Sequence, residues 1–285
     1  MMVTGLCFVS VTALVKLLAG RVPAAESAFL RYLLGLVFLL PAWRDLRALR
    51  LTRRQMGLSA LRGAVQTLGV MCWFFAMTRI PLAEVTAMNY LTPVYVTILA
   101  VVFLGERLAL RRILAIVAAL TGALIILRPG FRTLDPGHFA MLGTAFLFSI
   151  SYLIAKIISG ELRPAMVVAL LSVAVTIGLA PFAAVVWVTP SLGDLFILFG
   201  VASFATGGHY AMTLAFAAAP VTVTQPVTFL QLVWSVLLGA LFFGEAVDPW
   251  VVAGGLVIMS AVAFITWREA VLKRRVAQRS EESHL

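Results

Sequence analysis

Residues 88–108 read MNYLTPVYVTILAVVFLGERL, and residues 227–247 read VTFLQLVWSVLLGALFFGEAV. Laid over one another at a shift of 139, Leu91 falls on Leu230, Val94 on Val233, Phe103 on Phe242 and Gly105-Glu106 on Gly244-Glu245, with no gap. Upstream, Pro81 falls on Pro220, Ala76 on Ala215 and Gly69 on Gly208; at a shift of 140, Lys16-Leu-Leu-Ala-Gly20 falls on Lys156-Ile-Ile-Ser-Gly160. Self-similarity at a fixed offset marks a repeated architecture.

The repeat sits in a chain that water cannot solvate. Of 285 residues, 62% are apolar and 12% charged, and the mean hydropathy is +1.05; a soluble domain carries about 25% charge. This excludes a soluble enzyme, a disordered chain, a coiled coil and a disulfide scaffold. Cys7 and Cys72 lie in apolar runs and suggest neither a disulfide framework nor a metal site. Ten apolar runs follow one another, at 2–18, 27–43, 56–78, 82–103, 113–127, 138–158, 165–188, 195–218, 222–243 and 250–267. Each approaches the roughly 20 residues that carry a helix across about 30 Å of hydrocarbon. Their apolar residues are continuous rather than alternating, which selects helices over barrel strands. Short connections such as Arg79-Ile-Pro81 and Asp135-Pro-Gly137 leave no room for a soluble catalytic domain. Run 2–18 has no basic segment before it and reads as a crossing, not a cleaved leader.

Cationic residues set the orientation. On the side of the N-terminus lie fourteen: Arg44, Arg47, Arg50, Arg53, Arg54, Arg107, Arg111, Arg112, Arg163, Arg268, Lys273, Arg274, Arg275 and Arg279. The other side receives four, Arg21, Arg79, Arg128 and Arg132. Both termini are therefore expected in the cytoplasm, in a multi-pass protein of the cell (inner) membrane. The net charge of +10 follows from topology and headgroup contact, with no nucleic acid partner. Five crossings per half is an odd number, so the second half enters the bilayer upside down. The expectation is an all-α polytopic membrane protein with ten transmembrane helices as two inverted-topology five-helix repeats, 1–134 and 135–268, followed by a basic cytoplasmic tail, 269–285. Inverted repeats are the signature of secondary transporters, although some channels are built the same way.

The stretch from Ala76-Met-Thr-Arg-Ile-Pro81 through Tyr90-Leu-Thr-Pro93-Val94-Tyr95 to Phe103-Leu-Gly-Glu106 resembles the half-repeat of the drug/metabolite transporter superfamily, EamA type. The second copy runs from Ala215-Phe-Ala-Ala-Ala-Pro220 to Phe242-Phe-Gly-Glu245, and Glu26 to Arg31 resembles the start of the family's second helix. Within the family the chain is most similar to the amino-acid exporters of the YddG kind. The resemblance implies export of small metabolites through a central cavity lined by the first, third, fourth, sixth, eighth and ninth crossings. The N-terminus departs from the pattern by entering the membrane without a polar lead-in.

Near the middle of those six crossings stand Ser10 and Thr12; Gln66 and Trp73; Asn89, Tyr90 and Tyr95; Ser149, Ser151 and Tyr152; His209 and Tyr210; Thr228, Phe229, Gln231 and Trp234. An unpaired amide or hydroxyl is costly in lipid, so these side chains should face other helices or water. Pro93 and Pro226 each free a backbone carbonyl and could act as hinges, or could be structural kinks. Lys16, Arg31, Arg62 and Lys156 are the cations inside the runs. Each lies near enough to an interface to snorkel, while Lys16 and Lys156 could instead contact an anionic solute at opposite mouths of one pathway. All twelve acidic residues fall at run ends, in loops or in the tail. That points to facilitated transport without a carboxylate for proton coupling and leaves His209 as the central titratable group. The small residues Ala115, Ala118, Ala119 and Gly122, with Ala253, Gly254, Gly255 and Ala261, mark scaffold or dimer contacts.

The function expected is export of aromatic or neutral amino acids by alternating access, without cofactor or metal, by a monomer or homodimer. A carrier of phosphorylated or other anionic metabolites using Lys16, Lys156 and Arg62 stays open, as does a channel. An enzyme needs a nucleophile–base or acid pair at depth, which a single histidine does not supply.

Overall fold

The computed structural model describes residues 2–18, 20–42, 51–104, 110–131, 133–159, 161–162, 164–218 and 230–282, and all structural statements concern these. They form helices joined by turns: α1 (Met2–Leu17), α2 (Ala24–Gly35) continued by a 3-10 segment (Leu36–Ala42), α3 (Arg53–Met77), α4 (Leu82–Asn89), α5 (Thr92–Leu104), α6 (Leu110–Leu127), α7 (Pro136–Ser159), α8 (Pro164–Val185), α9 (Leu192–Ala218), α10 (Leu230–Phe243) and α11 (Pro249–Glu282).

Several helices begin earlier than their apolar runs because polar residues cap them. At α3, Thr52 Oγ1 accepts from the Gln55 amide and Gln55 Oε1 accepts from the Thr52 amide, a reciprocal capping box. At α9, Ser191 Oγ accepts from the Asp194 amide and the Ser191 hydroxyl donates to the Asp194 carboxylate. Pro136, Pro164 and Pro249 each open a helix, where a missing N–H is no loss. The fourth apolar run is broken at Tyr90-Leu91, immediately before Pro93, whose ring cannot sit in an unbroken helical ladder. Residues 269–282 of the expected basic tail continue α11, which runs 34 residues in all, about 50 Å at the helical rise.

Among the described residues, the helices within Arg53–Met77, Pro136–Ala155, Met166–Val185 and Pro249–Arg268 are long and apolar enough to cross a bilayer unaided. Met2–Leu17, Ile113–Leu127, Leu192–Gly208 and Leu230–Phe243 are apolar but shorter. α2 has only 12 helical residues, but its seven-residue 3-10 extension rises faster per residue. Together they reach about 32 Å.

Packing partners fall into matched pairs. α1 lies on α9 as α3 lies on α7; α1 lies on α10 as α5 lies on α7; α2 lies on α9 as α8 lies on α3. α6 lies on α11, α2 on α8 and α4 on α10. One apolar core joins most of the helices, with Phe74, Met77, Met88, Leu91, Ile126, Met141, Leu179 and Ile258 almost wholly buried.

The small-residue stripes settle inside the chain. A Cβ on Gly122 would lie 2.7 Å from the Gly254 carbonyl oxygen, and one on Gly254 would lie 2.5 Å from that of Gly122, so α6 and α11 touch backbone to backbone. Gly254→Ala is therefore expected to destabilise by about 1–3 kcal/mol, as overpacking does, although alanine is otherwise the better helix former. Gly143→Ala, with open space around its site, should be neutral or stabilising. Thermal unfolding of the two purified variants against the parent checks this; equal losses would remove the backbone contact as the cause.

Candidate functional site

The polar residues singled out by sequence are distributed over the interior rather than gathered at one point. Thr12 is buried and donates its hydroxyl to the Phe8 carbonyl of its own helix (3.1 Å), while Ser10 is half-buried. Gln231 packs on α1 at Gly5. The Tyr90 hydroxyl hydrogen-bonds with the backbone of Leu232 in α10, and Asn89 Oδ1 accepts from Thr92 at 3.4 Å across the α4–α5 break. Pro93 is exposed beside that break, and Tyr95 meets Phe146 edge to face. Trp234 Nε1 is buried without a hydrogen-bond partner. Pro226, Thr228 and Phe229 lie outside the described residues, as do the side chains of Lys156, His209 and Tyr210.

A continuous polar stripe does form on α3 and α7. Arg62, Gln66, Gly69 and Trp73 recur at helical spacing on one face of α3. Trp73 meets Phe148 of α7 edge to face (6.1 Å between centroids), and Phe148 stacks on Tyr152 (6.1 Å). A Cβ on Gly69 would come 2.8 Å from the Phe148 ring, so that glycine lets the aromatic pair lie against α3. Tyr152 is 47% exposed although it belongs to this interior stripe. Around it, Arg31 Nη1, Arg62 Nε, Gln66 Oε1, Trp73 Nε1 and Ser151 Oγ are buried without a hydrogen-bond partner. Such orphans each cost about 1–3 kcal/mol and call for an explanation.

The arginines depart from the sequence reading. Arg31 and Arg62 do not snorkel: they are 7% and 8% exposed. Arg62 Nη1 donates to the Val167 carbonyl of α8 at 3.0 Å beside a narrow cleft lined by Ser59, Ile158, Leu170 and Leu171. Arg31 lies over the Tyr32 ring at 4.2 Å.

At one end of the bundle the turns are laced together by ion pairs. Lys16 Nζ pairs with Glu245 Oε1 and donates to the Ile80 carbonyl at 3.0 Å, while Glu245 Oε2 accepts from the Leu82 amide at 2.9 Å. α1, the turn before α4 and the turn after α10 thus share one knot. Gly244, at φ +62, turns the chain there, and Glu245 folds back against Gly239, where a Cβ would collide with its carboxylate. Sequence assigned Gly244-Glu245 to a helix-end turn; it is also one half of this knot.

At the same end, Arg79 holds Asp135 through hydrogen bonds of 2.9 and 3.2 Å, which keep the Asp135 carboxyl below the usual carboxylate range. Arg128 pairs with Asp248, and Arg21 lies 3.4 Å from Asp194. His138 Nε2 lies 2.6 Å from Glu84 Oε2, both side chains being nearly inaccessible. Glu26, fully buried, accepts from the Val188 amide at 2.9 Å. At the opposite end, Gln55 and Arg54 hydrogen-bond Glu161 and hold its carboxyl below the usual range. Sequence placed the carboxylates at run ends, in loops or in the tail, but Glu26 and Glu84 are buried in the first turns of α2 and α4. Lack of a buried carboxylate is therefore no longer a premise for uncoupled transport.

The sequence profile of the EamA-like transporter family matches residues 1–128 and 135–267. The chain is 30% identical over 282 residues to a riboflavin transporter of Rhizobium johnstonii, covering 97% of this chain and 93% of that one. It is 28% identical to an S-adenosylmethionine uptake transporter of Rickettsia prowazekii (89% and 86% covered) and 26% identical to a pseudopaline exporter of Pseudomonas aeruginosa (89% and 90%). These relatives do not single out amino-acid exporters of the YddG kind. One solved crystal structure superposes with a TM-score of 0.55 at 18% identity, covering 96% of this chain and 98% of the other, a likeness of fold alone. A helical chain with buried polar stripes, matched along almost its whole length, belongs to the EamA-like transporter family.

Proposed function

We propose that this membrane transporter is a secondary carrier of a small amphipathic metabolite, working by alternating access, with the Lys16–Glu245 knot as its outer latch. The observation that carries this reading is the knot itself. It joins an element of the first half, α1, and the turn before α4 to the turn after α10 in the second. The repeat assigns the same two residue types to Lys156 and Glu106, at equivalent positions of the other half, which inverted topology would set at the opposite face of the membrane. An inverted pair of halves that interchange roles needs such a latch at each end, one formed while the other is open. The matched packing partners support this reading, because exchanging the halves maps the most extensive helix contacts onto one another.

The solute is inferred from the residue types in the interior. Tyr90, Trp73, Phe148 and Tyr152 offer flat apolar faces, and Gln66, Asn89 and Gln231 offer amides. Such side chains suit a solute with a ring or an apolar side and a polar head. Aromatic and neutral amino acids fit, and so do the ring-bearing solutes named for two of the relatives, riboflavin and S-adenosylmethionine. The relatives' names include both uptake and export, and export of amino acids is one case within that range.

Counterflow of labelled phenylalanine and riboflavin into proteoliposomes tests the latch. Lys16→Glu and Glu245→Lys are each expected to lower the rate about tenfold or more, which corresponds to about 1.4 kcal/mol, and the exchanged pair Lys16→Glu/Glu245→Lys should recover most of it. Single variants that transport like the parent would sink the latch. Gly239→Ala offers an independent approach: it should keep or raise thermal stability, as alanine does in a helix, yet slow counterflow by displacing the Glu245 carboxylate.

A further inference from the structure

Two guanidinium groups, Arg31 on α2 and Arg62 on α3, are more than nine-tenths buried, and no described carboxylate lies within ion-pair distance of either. An arginine carries five N–H donors in a planar fork. Of all those on this pair, a single one has a described acceptor, the Val167 carbonyl. Arg31 Nη1 and Arg62 Nε are buried with nothing to bond to. Glu26, the acid nearest to Arg31 along α2, is engaged by the Val188 amide instead. Tyr32 and Tyr152 lie close enough to Arg62 to interact electrostatically with it, and Tyr152 is within the same range of Arg31. The helices that carry the two cations, α2 and α3, pack on one another, and α7, with its stacked Phe148 and Tyr152 rings, packs on α3.

A buried, unneutralised guanidinium costs several kcal/mol. In the interior of a membrane protein such a pair is an anion site by default: the missing counter-charge has to come from something bound. Guanidinium matches the paired oxygens of a carboxylate or phosphate, and its fixed fork sets their plane.

We infer that Arg31 and Arg62 form an oxyanion-binding subsite for the transported solute, seating its carboxylate or phosphate end while its ring lies along Phe148 and Tyr152. The inference rests on the carrier reading and deepens it: the head of the solute is negatively charged rather than neutral. It also moves the anion contact away from Lys16, which is engaged by Glu245.

The test uses the full chain in phosphatidylcholine nanodiscs and two matched ligand pairs, phenylacetate against phenylacetamide and riboflavin 5′-phosphate against riboflavin. Each pair differs only at the head group, and affinities are read from ligand-dependent shifts in thermal unfolding. The parent should prefer the oxyanion member of at least one pair by about tenfold or more, and the pair that shows the preference identifies carboxylate or phosphate. Arg62→Gln and Arg31→Gln should each erase the preference while leaving the weaker affinity for the uncharged member in place. Equal affinities within both pairs in the parent overturn the inference with no variant needed, as does a preference that survives both substitutions. If added phosphatidylglycerol abolishes oxyanion binding at low ligand, the site belongs to a lipid headgroup and the solute assignment falls. The charge-exchange experiment on Lys16 and Glu245 judges the carrier reading separately, so a failed anion preference alongside a working latch leaves that reading standing.

Discussion

A charge inside a bilayer must find its partner within the protein, and that constraint organises this molecule. At one end of the bundle each described cation meets a carboxylate from a distant part of the chain: Lys16 meets Glu245, Arg79 meets Asp135, Arg128 meets Asp248 and Arg21 meets Asp194. The connections before α2, α4, α7, α9 and α11 are gathered there as a consequence. Arg31 and Arg62 break this pattern: both are buried, and neither meets a described carboxylate.

Close backbone approach supplies the rigidity against which such charges can act. α6 and α11 meet at Gly122 and Gly254, and α3 meets α8 where Gly63 faces Ala174 and Thr67 faces Gly178. Lipid tails are as apolar as leucine, so hydrophobic burial gives helices little reason to associate in a membrane; close packing and internal hydrogen bonds do. The α4–α5 break has the opposite character. Pro93 interrupts the ladder at Tyr90-Leu91, and both the Tyr90 hydroxyl and the Thr86 hydroxyl, which meets Ser235, reach across to α10, so the joint is tied by polar contacts to the other half of the chain.

Composition and periodicity made the helical membrane architecture legible, because a run of apolar residues is a local property. Helix starts were legible only in part: hydropathy does not see that Thr52 and Gln55, or Ser191 and Asp194, cap the turn before the apolar residues begin. The break before Pro93 could be read, since proline acts on its own neighbours. The partners of Lys16 and His138 could not, for Glu245 is 229 residues from Lys16 and Glu84 is 54 from His138. Distance from a helix end suggested that Arg31 and Arg62 snorkel, and it misleads here because α2, α3, α7 and α8 close over them. The repeat did contain one clue to the knot, in the paired Lys-x-x-x-Gly and Gly-Glu motifs, which read separately as a snorkelling cation and a helix-end turn.

A latch made from a partly buried ion pair suits a carrier for an energetic reason. Lys16 and Glu245 retain 18% and 12% of their side-chain exposure. Forming such a pair costs two desolvations and returns their mutual attraction, terms that nearly cancel. Opening that end admits water to both groups, so the charges are rehydrated instead of being stranded, and breaking the pair costs little net free energy. A second latch of the same composition at the other end would oppose it with a similar small term. In the proposed carrier the balance between two states would then rest on the difference of two nearly equal quantities, which a bound solute could tip with the differential affinity of a few contacts. A strong, fully buried pair would hold the molecule in one state, and an apolar plug would give neither end a reason to reopen.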